Sequence, residues 1–159
     1  METNVKITKN FLELPDAAEV ILNLIKQGAD MSDKCISGIF KLPNAREILL
    51  EYIKQGKRFA PVTAHKILGL PDAAEILLEY VKQGGPLAPK TQIKIFDLPN
   101  AREIILEYVK IGWWIEKKTL LKVFELPNAM EIFLEYDKQN HYLSDETKRE
   151  ILAKLEKRN

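Results

Sequence analysis

Few side chains in this sequence could do chemistry, and they do not converge. The two histidines, His65 and His141, stand far apart, and no pair sits at helical ligand spacing, so no metal site is expected. The one cysteine, Cys35, excludes an internal disulfide framework. Set early in a helical stretch, it reads as a small buried residue, with a reactive thiol as the alternative. There is no glycine-rich phosphate loop and no Gly-x-Ser-x-Gly elbow. Carboxylates are plentiful but recur at fixed intervals, whereas catalysis needs one special place. The sequence implies no enzyme, no cofactor and no metal.

What remains is chemistry suited to binding. Trp113-Trp114 and His141-Tyr142 form a potential aromatic cluster, and Trp and Tyr are preferred interface anchors. Lys57, Arg58, Lys117 and Lys118 would orient a partner around them. These eight residues are the candidate partner-binding set. The alternative is that the rings fold back and cover the carboxy-terminal core.

These residues lie in a chain that repeats itself every 28 residues without insertion or deletion. Copies begin at Leu14, Leu42, Leu70, Leu98 and Leu126, each opening Leu-Pro-(Asp/Asn)-Ala-x-Glu. A fixed period of this size marks a stacked array. The expected fold is all-α: a right-handed-type α-solenoid of five helical hairpins with capping half-units, forming one domain over 1–159. Residues 1–13 are expected as an N-terminal capping helix. The copies are 14–41, 42–69, 70–97, 98–125 and 126–153, and 154–159 extend a C-terminal capping helix.

Within a copy, Asp16, Asn44, Asp72, Asn100 or Asn128 precedes a Glu by three residues, the spacing of a capping box. A first helix of about eleven to twelve residues follows, closed by Gly28, Gly56, Gly84 or Gly112, with Asn140 in the last copy. A second helix of about eight or nine residues starts at Ser32-Asp33, Ala60-Pro61, Ala88-Pro89 or Ser144-Asp145. No strand is expected. Copies one and three share Asp-Ala-Ala-Glu, and copies two and four share Asn-Ala-Arg-Glu, which suggests duplication of a pair.

The segment Ala17 to Asp30, AAEVILNLIKQGAD, resembles the second helix of an ankyrin repeat and its Gly-Ala-Asp exit. The unit is shorter than the ankyrin length of about 33 residues and lacks Thr-Pro-Leu-His. The resemblance implies a protein-binding scaffold.

Comparison among copies separates scaffold from candidate surface. Tyr52, Tyr80, Tyr108 and Tyr136 share one column; such a ladder either stacks bases or, as expected here, packs copy on copy with its hydroxyls at the rim. Glu51, Glu79, Glu107 and Glu135 each precede a Lys by three residues, a solvated ladder. The turn pairs vary from Ala29-Asp30 to Trp113-Trp114, so the fold does not dictate them. In copies two to four, the turn and second helix carry eight cations against three anions, +5, while the first helices stand at −2.

The favoured partner is therefore another protein or a peptide. The alternative is a nucleic acid read through Thr63, Thr91, Gln92 and Lys148, against which stand the net charge of +1 and an acidic last copy. The N-terminal stretch has no apolar run long enough for a signal peptide or membrane span. A cytoplasmic location is expected, or delivery by a secretion system without a cleaved signal.

Overall fold

Each copy turns before it coils. In Leu-Pro-Asx-Ala the amides of Ala17, Ala45, Ala73 and Ala101 donate to the carbonyls of Leu14, Leu42, Leu70 and Leu98 at 3.1–3.2 Å. Asp16, Asn44, Asp72 and Asn100 have φ between −98° and −110° and ψ between 25° and 30°. That is a type I turn with proline at its second position. The expected capping boxes do not form, because these dihedrals belong to the turn and not to the extended geometry of an N-cap. None of the five Asx side chains caps its own helix, and Asn128 adopts a left-handed conformation at φ 54°.

The computed structural model describes residues 5–139 and 143–158; Asn140, His141 and Tyr142 lie outside the described residues. Ten α-helices occur among those described. The first helices of the copies are α1 (Ala17–Lys26), α3 (Ala45–Lys54), α5 (Ala73–Lys82), α7 (Ala101–Lys110) and α9 (Ala129–Lys138). Each has 10 residues, slightly fewer than expected. Gly28, Gly56, Gly84 and Gly112 follow with φ between 73° and 88°, the left-handed exit that glycine takes without strain.

The second helices are α2 (Asp33–Ile39), α4 (Pro61–Ile67), α6 (Pro89–Lys94), α8 (Lys117–Lys122) and α10 (Asp145–Glu156). All but the last are shorter than expected. The next Leu-Pro forces its leucine into extended backbone, as at Leu98 (ψ 149°) and Leu126 (ψ 148°). The residues just before it tighten into 3-10 turns at Ile95–Asp97 and Val123–Glu125. Ser32 and Ser144 cap their helices through their hydroxyls, and Pro61 and Pro89 occupy the first helical position.

Two expectations for the N-terminus fail. Instead of a capping helix, Lys9–Glu13 forms a short 3-10 helix, bounded by extended backbone at Lys6–Ile7 before it and by Pro15 after it. A short parallel strand pair also exists: β1 (Lys6–Ile7) lies beside β2 (Asp30–Met31). The Asp30 amide donates to Val5 O (3.1 Å) and the Ser32 amide to Ile7 O (2.9 Å). Fully buried Ile7 thereby plugs the start of the core.

First helices pack on one another in chain order, α1 on α3, α3 on α5, α5 on α7 and α7 on α9. Second helices do the same, with α4 on α6 and α6 on α8. Residues 28 apart form columns, and the core is built from them: Ala17 to Ala129 as small spacers, and Ile48, Ile76, Ile104 and Ile132 fully buried. Among the described residues, no helix is long and apolar enough to cross a membrane.

Candidate interaction surface

The tyrosine column belongs to the core. Tyr52, Tyr80, Tyr108 and Tyr136 are all buried. The hydroxyls of Tyr80, Tyr108 and Tyr136 donate to the carbonyls of Phe59, Leu87 and Ile115 in the copy before, at 3.1, 3.4 and 3.3 Å. Burial raises the Tyr80 hydroxyl to about 12. Phe59 lies between Tyr52 and Tyr80, with ring centroids 5.5 and 5.4 Å apart. The rings are thus engaged with the protein itself and offer no platform for bases.

Tyr52 differs, donating to Asp30 Oδ1 at 2.5 Å. That bond holds the Asp30 carboxyl below its usual range despite partial burial, helped by the Met31 amide and by Lys57. Lys57 Nζ sits 3.9 Å from the same oxygen, so this predicted partner-binding lysine is partly committed to its own fold. Arg58 is exposed and reaches Gly84 of the following copy.

The turn after each glycine conceals an apolar column that sequence inspection missed. Met31, Phe59, Leu87 and Ile115 are all buried, each three residues past the glycine. The column keeps the 28-residue period, but its members differ in type and each follows a variable pair. The same holds for Cys35, Thr63, Thr91, Thr119 and Thr147, a second buried column. Burial raises the Cys35 thiol to about 11, which fits an inert packing residue.

The two tryptophans part company. Trp113 is half-buried and stacks on Tyr108 with centroids 6.2 Å apart. The equivalent position in copy three is Gly85, where a Cβ would lie 2.4 Å from the Tyr80 ring. Trp114 is 57% exposed. Its carbonyl is held by Gln92 Nε2 at 3.4 Å, and the Glu116 amide donates to Gln92 Oε1, also at 3.4 Å. Lys118 is exposed nearby in sequence, while Lys117 reaches Glu150 at 3.5 Å. His141 and Tyr142 fall outside the described residues, so the aromatic cluster is described only at its Trp113-Trp114 side.

Three of the four residues assigned to a nucleic-acid strand face inward. Thr63, Thr91 and Gln92 are buried, because they lie on the helix face that meets neighbouring copies. Thr91 Oγ1 is 3.0 Å from His65 Nδ1. In the next copy Ile93 replaces His65, and the buried Thr119 hydroxyl has no hydrogen-bond partner.

A groove of about 620 Å³ opens at the far end of the second helices. Phe40, Leu68 and Leu70 give it an apolar floor, and Lys41, Lys66 and Lys94 stand around it beside His65. No carboxylate lines it. Lys66 Nζ donates to Ser37 Oγ at 3.3 Å, and Lys94 is 3.7 Å from Asp97 outside the lining. Its residues come from three copies and from different columns, so no single repeat announced it. Among the described residues, no group of three or more His, Cys, Asp or Glu side chains could hold a metal ion. Compared with known protein families, curated proteins and solved structures, the chain matches none.

Proposed function

We propose that this chain is a non-enzymatic α-solenoid of five 28-residue hairpins that holds another protein or a peptide. The supporting observation is the division between columns. The recurring apolar and tyrosine columns are consumed by packing, whereas the exposed Trp114 sits in a turn the fold leaves free to vary. Trp114 is the anchor, with Arg58 and Lys118 orienting the partner and Lys57 and Lys117 contributing beyond their internal pairs. His141 and Tyr142 would extend the contact, while Trp113 is engaged with the Tyr108 ring. The acid-free groove at Lys41, Lys66 and Lys94 is a second contact for an acidic stretch of the same partner.

The test is affinity capture with nuclease present, comparing wild type, Trp114→Ala and Trp113→Ala. Trp114→Ala should weaken a captured complex by about tenfold or more with an unchanged melt, while Trp113→Ala should lower the melting temperature. A complex that disappears with nuclease would replace this reading with nucleic-acid binding.

A further inference from the structure

The last copy exposes more of two apolar columns than the others do. Leu50 and Leu106 are 8% and 7% exposed and Leu22 and Leu78 are half-buried, each with the next first helix packed beyond it. Leu134, in the same column on α9, is 63% exposed. In the second-helix layer Phe40, Leu68 and Phe96 are half-buried and Phe124 is 7% exposed, while Leu152, their counterpart on α10, is 57% exposed. Met130 is also exposed, and with Leu155 these side chains border a cleft of about 240 Å³ between α9 and α10. A contiguous apolar face of this kind marks an interaction site.

We propose that this face docks against the same face of a second copy of the chain, about a twofold axis parallel to the helices. The charges at the cleft select that occupant. One acid, Asp137, and one base, Lys148, line it. Among the described residues neither belongs to an ion pair. Asp137 lies near the end of α9 and Lys148 near the start of α10, so both sit where the two helices are joined. An axis along the helices lays α9 on the partner's α10 with those ends together, and each Asp137 then meets a Lys148. An acidic or a basic partner would instead leave one of the two charges facing its like.

Head-to-tail docking on α1 is less suited. Interior junctions bring a Tyr hydroxyl or an Asn amide to a carbonyl of the copy before. In those columns copy one carries Leu24 and Asp16, and neither can donate such a bond. Two short helices per side place the interface at the low end of specific contacts, below about 1,200 Å² in total, so the dimer should be weak.

Sedimentation velocity on the full chain, from micromolar to submillimolar concentration, provides the test. Wild type should pass from monomer to dimer and stop there. Leu134→Lys, and independently Leu152→Lys, should stay monomeric while retaining their helical circular dichroism. Asp137→Lys and Lys148→Asp should each weaken the dimer by about tenfold or more. An equimolar mixture of those two variants should recover it, since both facing pairs become Lys–Asp again. A wild type that is monomeric throughout, a species that grows beyond two copies, lysine variants that dimerise normally, or a mixture that fails to recover would each overturn the proposal.

Discussion

The junction between copies one and two and the junction between copies two and three use the same columns but different bonds. At the first, Asn44 Nδ2 donates to Ala18 O at 3.3 Å. At the second the Asx residue is Asp72, and Arg46 forms a bidentate pair with Glu75 at 2.9 and 2.7 Å. The alternation continues: Asn100 bonds to Ala74 O at 3.0 Å between copies three and four, and Arg102 pairs with Glu131 between four and five. The 56-residue duplication seen in the sequence is therefore a physical alternation. A partly buried amide bond and a solvent-exposed Arg–Glu pair take turns, so salt screens an arginine pair at every second junction, while the longer Lys57–Asp30 contact adds a weaker salt response at the first.

Tyrosine removal is the severest test, because the tyrosine is common to both kinds of junction. Tyr80→Ala and Tyr108→Ala, in junctions of opposite kind, should each cost about 3–5 kcal/mol in denaturant unfolding. Tyr80→Phe should lose only about 1 kcal/mol, that of the bond to Phe59 O. Unequal losses for the two alanine variants would show that the two kinds of junction differ in packing as well as in bonding.

Asn100→Ala should cost about 0.5–1.5 kcal/mol, independent of salt. Part of that loss is offset because its buried Oδ1 has no partner.

Acid should act most on the junction between copies one and two. The Asp30 carboxyl is lowered in the folded chain, so its stabilisation is complete above the unfolded value of about 4 and disappears as pH falls through the folded one. Asp30→Asn should therefore be less stable at neutral pH and show a shallower acid limb in thermal melts.

The smallest effect belongs to Arg46→Ala and Arg102→Ala: a slight lowering of the melting temperature that vanishes at high salt. A loss that persists in salt would mean that the guanidinium stem packs as well as pairs.

The period, the leucine–proline turns and the glycine exits were legible because backbone geometry restricts which residues can stand there. The second helices of copies three and four are shorter than their spacing suggests because the proline's effect on its predecessor spreads backward into 3-10 turns. The Asx residues look like caps in sequence, but turn dihedrals and reach to the neighbouring copy decide their use. Trp113 and Trp114 are identical letters, and only the Tyr108 ring beneath one of them tells them apart. The groove at Lys41, Lys66 and Lys94 depends on how three copies are juxtaposed, which a one-copy comparison does not contain.

Cys35 gives the molecule a built-in clock. It is the only thiol, wholly enclosed and reluctant to ionise, and it stands in copy one, in a column that elsewhere holds threonine. A thiol-trapping reagent can reach it only when that end of the array breathes open. Its labelling rate therefore reports opening of the first copy, and labelling faster than global unfolding allows would show that this copy frays on its own.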